Sequence, residues 1–374
     1  GLGDVYKRQA QKMAILKGNT LSEGVKGTVR MLDKDGEVID EVKNFTVAQI
    51  PWFTPRHTVV VGGNEYSVAN QVRPKPGVYA RKRANGVLEA SFNTQGGSNF
   101  NITVDPEKGE PQLEYGTSKI PLYPVLREAG VSHDRIAQRW GVRVADTNAK
   151  SLMPKKDKTI DRLYQKVVSP HQRVSGADTA TKAKEIFANY TKSQMDPEVN
   201  HRTLGKPYAN VTPDALLDAS NKVLKIYKNP GEVDDRDNLD FKSLRTIADL
   251  FKEKITLSAR QVANKAAIKM EATPNLRRAL PSGPFTKGIL DFLNNSQTVT
   301  VPTQTNPMEL IDSAMRVTAM GEGGIKSDRA IPMEARQIHV TQMGALDPFR
   351  TPESFRAGVD VRAAMEVHND EKGN

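Results

Sequence analysis

The run Arg73-Pro74-Lys75-Pro76-Gly77 sets the first limit on how this chain can fold. Two prolines two residues apart remove backbone donors and clash with a preceding helical turn, so the run cannot lie inside a helix. It is read as a segment boundary. Upstream, from about Ser22, the pattern is that of strands. Val25, Gly27, Val29 and Met31 alternate, Asp35-Gly36 marks a turn, and Val59-Val60-Val61 runs into Gly62-Gly63-Asn64. Downstream, residues 78–125 read as short strands joined by polar turns such as Asp105-Pro106-Glu107-Lys108-Gly109.

From about residue 125 to 230 the pattern turns helical and rich in Lys, Asp and Ala. The clearest helix begins at Thr212-Pro213-Asp214, which supplies a cap, a first-turn proline and an acidic residue at the positive helix end. Leu216, Ala219, Val223 and Ile226 fall on one face, and Asn229-Pro230-Gly231 stops the helix. A second helical region is read from Leu244, with Ile247, Phe251 and Ile255 on one stripe. A third is read from Asn306-Pro307, with Glu309 in the capping-box position. The first nine residues, GLGDVYKRQ, are similar to a translated sequencing adapter and are set aside as a scar, so the natural N-terminus is expected to differ. At 374 residues the chain is expected to be an α+β, multi-domain protein of two to three domains.

Charge bears on partners rather than on fold. The 54 Lys and Arg residues outnumber 44 Asp and Glu, a net charge of +10, which points to a polyanion and first to nucleic acid. There is no cysteine, which excludes disulfides, thiolate zinc sites and cysteine nucleophiles. No window approaches the ~18 apolar residues of a membrane span, so no membrane partner is expected.

Gly321-Glu322-Gly323-Gly324 is the motif most open to a chemical reading. It follows a helix and has Lys326 where a dinucleotide fingerprint needs its third glycine; it also lacks the Gly-Lys-Ser/Thr of a P-loop. Besides a plain turn, it reads as a loop whose backbone lets a ligand come close. Arg316, Lys326, Arg329 and Arg336 surround it in sequence and could neutralise phosphates. Asp234, Asp235 and Asp237 lack the central glycine and closing glutamate of a calcium loop and read as a structural turn. The histidines at 57, 133, 171, 201, 339 and 368 include no i, i+4 metal pair, and His339 reads as a hydrogen-bonded structural residue. No catalytic or metal-ligating residue is assigned to this chain.

The stretch FLNNSQTVTVPTQTNPMELIDSAMRVTAMGEGGI resembles the bacterial RNA polymerase β-subunit segment that carries a Ser-Gln pair, Gln-Thr-Asn-Pro, a short helix and a glycine loop. AIPMEARQIHVTQMGALDPFRTPES is similar to its continuation, ending in Thr-Pro-Glu. Upstream, IPWFTPRHTVVVGGNEYSVANQVRPKPGVY and GEVDDRDNL are similar to two further blocks of that family, so the resemblance covers roughly residues 20–364. It implies a β-rich protrusion from residues 10–77 and 245–299, a helical and β lobe inserted at 78–244, a fork at 300–364 and a polar tail at 365–374. It also implies that Gln297 meets nascent RNA and that Arg316 lies beside the RNA–DNA hybrid. By the same resemblance, Gly323, Gly324, Lys326 and Arg329 approach downstream DNA, and Glu353 lies near the active centre with Arg356 close by.

Departures from the family pattern are Ser354 and Arg356 after Glu353, Asn238 in the acidic block, and Arg73 one position early. Thr300, Thr303, Ser313 and Thr318 stand where bacterial enzymes have the polar residues of the rifamycin pocket, so rifamycin insensitivity is expected. The implied reaction is templated nucleotidyl transfer, with Mg2+ in the assembled enzyme held by carboxylates of the largest subunit and not by this chain. The implied partners are template DNA, nascent RNA, the remaining β fragment, β′-like subunit fragments and a specificity factor, in a host cytoplasm or a virion. Family β subunits continue for several hundred further residues. A split β subunit of a giant tailed phage is the favoured reading and a truncated reading frame the alternative. A stand-alone nucleic-acid-binding protein on a polymerase-derived scaffold, and a virion structural protein, are the readings from other classes.

Overall fold

The computed structural model describes residues 2–32, 36–83, 85–95, 98–104, 109–169, 173–174, 176–229, 231, 233–272, 275–303, 305–327, 329, 331, 333–365 and 367. Asp35, residues 105–108 of the expected turn, His171, Pro230 and the tail from residue 368 lie outside them. The chain forms two compact units, one of residues 1–73 and 238–374, the other of residues 74–237. The class is α+β and multi-domain.

The first unit opens with α1 (Leu2–Leu16), β1 (Ser22–Leu32), β2 (Val38–Pro51), β3 (Val59–Val61), β4 (Asn64–Val68) and β5 (Asn70–Pro74). Sequence reasoning missed α1, because part of it was set aside and residues 10–16 were grouped with strands. β1 and β2 form a long antiparallel ribbon with register shifts, for example between Val25 and Lys26. Its Val29, Met31, Val42 and Phe45 make the apolar side described below.

The second unit begins with β6 (Gly77–Lys82), β7 (Leu88–Asn93), β8 (Phe100–Val104), β9 (Pro111–Tyr115) and β10 (Ser118–Pro121), each paired antiparallel with the next. Helices follow: α2 (Leu122–Glu128), α3 (His133–Trp140), α4 (Val142–Leu152), α5 (Lys156–Val167), α6 (Thr179–Tyr190), α7 (Pro197–Leu204) and α8 (Pro213–Lys228). The sheet and helices share one apolar core, in which Ile102, Leu113, Leu126, Ile160 and Leu216 are fully buried. α8 matches its sequence signature. Ala215 N–H donates to the Thr212 hydroxyl at 3.1 Å, and Leu216, Ala219, Val223 and Ile226 are all buried.

The acidic run has a structural use in this unit. The Asp234 carboxylate accepts from Ala80 N–H at 2.7 Å and pairs with Lys222 at 2.5 Å, so it satisfies backbone at the edge strand β6.

The chain then returns to the first unit with β11 (Lys242–Arg245), α9 (Ile247–Ala272), α10 (Leu276–Ala279), α11 (Thr286–Asn295), β12 (Val299–Thr300), α12 (Pro307–Ala314), β13 (Arg316–Thr318), β14 (Leu346–Asp347) and β15 (Asp360–Ala363). Leu244, expected to open a helix, lies in β11. The helix starts three residues later because Thr246 and Asp249 cap each other's turn: the Asp249 carboxylate accepts from Thr246 N–H and hydroxyl, both at 2.9 Å. One end of α9 buries Ile247, Leu250 and Phe251 against Ile289, Phe292 and Leu293 of α11. Its other end packs Ala266 and Met270 with α10 against the apolar side of the β1–β2 ribbon. A five-stranded sheet of order β11-β5-β13-β15-β14 positions the glycine loop. No helix among the described residues is long and apolar enough to cross a membrane.

Glu89 gives the second unit a measurable signature. It is fully buried in β7, directly opposite Arg81 of β6, and its carboxylate accepts from both Arg81 and Arg83. Burial alone would push its pKa up; the two guanidinium groups outweigh that and hold it below the ordinary value. A depressed carboxyl contributes its full stability above about pH 4.3 and loses it as pH falls through the lower folded value. Glu89→Gln is therefore expected to destabilise the chain by roughly 1–3 kcal/mol at neutral pH. Thermal unfolding from pH 7 to pH 3 should show the gap between variant and wild type closing at the acid end.

Candidate nucleic-acid interface

The glycine loop is fixed by its own backbone and by two side chains of β5. Gly321 N–H donates to Ile325 O at 3.1 Å, Gly324 N–H to Gly321 O at 3.0 Å, and Ile325 N–H to Ala319 O at 3.0 Å. β5 runs parallel to β13, with Gln71 beside Thr318. Gln71 and Arg73 are two residues apart on a strand and so face the same side. Gln71 Nε2 donates to Met320 O at 2.8 Å and to Glu322 O at 3.2 Å, while its Oε1 accepts from Arg73 Nε at 2.7 Å. The Arg73 guanidinium also donates to Glu322 O and pairs with Glu253 of α9 at 2.8 Å. The Glu322 carboxylate pairs with Lys254, the next residue of α9, whose ammonium stands 5.4 Å from the Phe292 ring centroid. Burial pushes the Lys254 pKa down.

These contacts correct the reason for the glycines. A Cβ on Gly323 would lie 2.6 Å from Arg73 Nη1. One on Gly324 would lie 2.6 Å from Ala319 O and 2.8 Å from Gln71 Nε2, and one on Gly321 would lie 2.9 Å from Thr298 Cγ2. Gly321 and Gly323 also hold φ of 110° and 74°. Sequence reasoning expected a ligand to come close to this backbone. The groups that do so are the chain's own Arg73 and Gln71.

The four cations grouped around the loop in sequence divide in the structure. Lys326 and Arg329 are exposed. Arg336 turns inward and donates to Phe355 O, to Ala357 O at 3.2 Å and to Ile331 O at 3.4 Å, which clamps the 354–358 turn. Arg316, expected to face the hybrid, is also turned inward, its side chain 14% exposed. Alternation along β13 places Arg316 and Thr318 on one face, where both meet Asp360 of β15. The Thr318 hydroxyl donates to Asp360, and Arg316 Nε stands 3.9 Å from the same carboxylate. Arg316 Nη1 donates to the Thr300 hydroxyl at 3.1 Å; its Nε and Nη2 are buried and without a hydrogen-bond acceptor among the described residues. Burial pushes its pKa down, Asp360 opposes that, and the nearby Arg356 and Arg362 add to the lowering. Arg356 reaches Asp360 at 3.5 Å, and Asp312 of α12 takes both Arg362 and Arg350.

The remaining expected site residues fall in two groups. Gln297 Nε2 donates to Lys326 O at 3.2 Å, so Gln297 stands at the exit of the glycine loop. Thr300, Arg316, Thr318 and Arg356 gather around Asp360. Thr303 and Glu353 are exposed and Ser313 is half-buried on α12. Thr318 is buried with its hydroxyl engaged, so it offers no free donor to a pocket. His339 is a structural residue, its Nδ1 2.7 Å from the Thr341 hydroxyl at the start of a short 3-10 turn. Sequence reasoning missed Gln71, Glu253, Lys254, Asp312 and Asp360. The Gln71-x-Arg73 spacing was the one signal in reach, since it puts two long polar side chains on one strand face.

Gly324→Ala is expected to open the loop, because the new Cβ meets a backbone oxygen as well as Gln71. A loss of about 1–3 kcal/mol of local stability follows from overpacking of this size. Hydrogen exchange at the amides of Gly321, Gly324 and Ile325 should quicken by about tenfold or more. Gly27→Ala, where the new Cβ meets only Val47 Cγ2 at an ordinary 3.6 Å, should leave those amides unchanged.

Comparison with known proteins finds a likeness to one family. Residues 300–364 match the family model for RNA polymerase Rpb2, domain 3, the segment that holds α12, the glycine loop and β13–β15. The DNA-directed RNA polymerase subunit beta of Rhodomonas salina is 24% identical over 383 residues, which cover 96% of this chain and 34% of that protein. The subunit of the same name from Syntrophomonas wolfei is 24% identical over 88% of this chain and 31% of its own length. That from Thermus thermophilus is 23% identical over 92% and 33%. The chain thus spans about a third of the length of the curated relatives it matches. The likeness runs through nearly all of the chain's length and the domain 3 match includes the anchored loop, so the chain is similar to the β subunits of multisubunit RNA polymerases.

Proposed function

We propose that this chain acts as the N-terminal portion of the β subunit of a DNA-directed RNA polymerase, where it holds downstream DNA and the RNA–DNA hybrid. The observation that carries this reading is the exposed pair Lys326 and Arg329, which follows directly on a loop braced from beneath by Arg73 and Lys254. Cations on a rigid support meet phosphates without first ordering a loop, which strengthens binding at a fixed position. Gln297, tied to Lys326 O, belongs to the same surface, and Glu353 is the exposed carboxylate of the Thr-Pro-Glu turn. Arg316 and Arg356 serve this surface indirectly, by fixing the β13–β15 sheet through Asp360. The net charge of +10 supports a polyanionic partner.

Partners follow from exposed apolar surface. Phe349, Phe355, Val340, Met343 and Met365 all stand in solvent, Phe349 at 87% and Met365 at 90% exposure. So many large apolar side chains within one segment mark a surface that another protein covers. The remainder of β and the β′-like subunit fit that role. Among the described residues no three His, Asp or Glu side chains converge to hold a metal ion. On this reading the Mg2+ of nucleotidyl transfer is held by the largest subunit, and this chain's contribution is to bind and orient.

Co-expression with the β remainder and the largest subunit is expected to yield a stable complex that elongates RNA. In that complex Arg329→Glu should slow elongation by about tenfold, equivalent to ~1.4 kcal/mol of positioning. A wild-type elongation rate would remove Arg329 from the DNA-binding surface. The same complex should transcribe at rifamycin concentrations that stop a bacterial enzyme, since Thr318 is internally engaged and Thr300 is taken by Arg316. Failure to form the complex, together with salt-sensitive DNA binding by the chain alone, would favour a stand-alone nucleic-acid-binding protein.

A further inference from the structure

A second cationic site lies in the unit of residues 74–237. A cleft of about 390 Å3 is lined by Arg139 of α3, Thr203 and Lys206 at the end of α7, and Asp218, Asn221, Lys222 and Lys225 of α8. The four α8 residues recur at i, i+3, i+4 and i+7, so they form one polar stripe on a helix whose other face is core. The volume falls within the range of small-molecule sites, about 300–1,000 Å3.

Most of the charge in the cleft is internally matched, and the remainder is informative. Asp218 pairs with Lys206 at 2.9 Å and Arg139 at 3.4 Å and accepts from the Tyr208 hydroxyl at 2.6 Å. Lys222 is held between Asp234 and Thr203 O, each at 2.5 Å. Four cations against two carboxylates leave two positive charges. Burial would raise the Asp218 pKa, yet the Tyr208, Lys206 and Arg139 contacts hold it below the ordinary value, in keeping with a positive local field.

One buried polar atom in the lining has nothing to bond, and a second side chain beside it is uncommitted. Thr203 is 5% exposed and its hydroxyl has no hydrogen-bond partner. Asn221 is 8% exposed and its amide makes no side-chain hydrogen bond among the described residues. A buried polar group without a partner is destabilising, and a ligand that bonds the Thr203 hydroxyl and the uncommitted Asn221 amide accounts for both. The Lys225 ammonium at the rim is exposed and unpaired among the described residues.

We infer that this cleft binds a terminal phosphate group, of inorganic phosphate, pyrophosphate or a nucleoside polyphosphate. A phosphate dianion matches the two uncompensated charges, and its oxygens accept from Asn221 Nδ2, the Thr203 hydroxyl and Lys225 Nζ. A terminal phosphoryl group can reach buried donors; a phosphodiester, flanked by sugars on both sides, cannot enter as deeply. The assignment is independent of the glycine loop and of the polymerase reading.

The test is calorimetric titration of the full chain with inorganic pyrophosphate at 0.15 M salt, roughly the physiological ionic strength. Saturable binding of one pyrophosphate per chain is expected. Lys225→Gln, at an exposed position, should weaken it at least fivefold, and Asn221→Ala should do the same, with circular dichroism verifying the fold of each. An oligothymidylate without terminal phosphates should fail to displace pyrophosphate. No saturable binding by the wild type, or unchanged binding in both variants, overturns the site. Displacement by the oligothymidylate overturns the terminal-phosphate assignment.

Discussion

The guanidinium of Arg73 is the contact on which the glycine loop depends. It joins β5 to a carbonyl 249 residues later and to a carboxylate 180 residues later, so three segments distant in sequence share one side chain. The glycines at 321, 323 and 324 leave the space that this guanidinium and Gln71 occupy. Lys254 then holds Glu322 from the same turn of α9. The loop is a braced tip rather than a free turn, and Lys326 follows it with its carbonyl held by Gln297.

Charge in this molecule is sorted by direction more than by amount. Around the β13–β15 sheet four arginines share Asp312 and Asp360, and their role is to bind strands and turns together. In the second unit Glu89 plays the converse part, one buried carboxylate holding Arg81 and Arg83. Arginine suits these places because its planar fork meets several acceptors at once and stays charged when partly buried. Many cations along the chain face outward; Lys326 stands apart from them because it follows directly on a braced loop and its carbonyl is held by Gln297. A net charge alone would not have separated these populations.

The elements that were legible are those whose signals are local. The start of α8 could be read because its cap, proline and apolar stripe lie within a few turns of chain. Asn306 caps α12 in the same way, accepting from Met308 N–H at 3.0 Å. The Val59-Val60-Val61 run and its Gly-Gly turn became the β3–β4 hairpin. Leu244 misled because an apolar stripe does not mark where a helix begins, whereas the Thr246–Asp249 cap does. The candidate site was legible as a place but not as a mechanism. The loop and its neighbours were picked out, yet Arg316 and Arg336 were counted as outward-facing.

The sequence by itself determined the α+β class, the strand and helix periodicities, several caps and the family likeness, since each rests on residues near one another or on a pattern carried along the chain. Tertiary structure alone decided what the glycines make room for and which cations are free, because those answers depend on side chains brought together across as many as about 250 positions. No rule acting within a turn of helix or a strand pair can say which way a charge will point once such distant segments have packed.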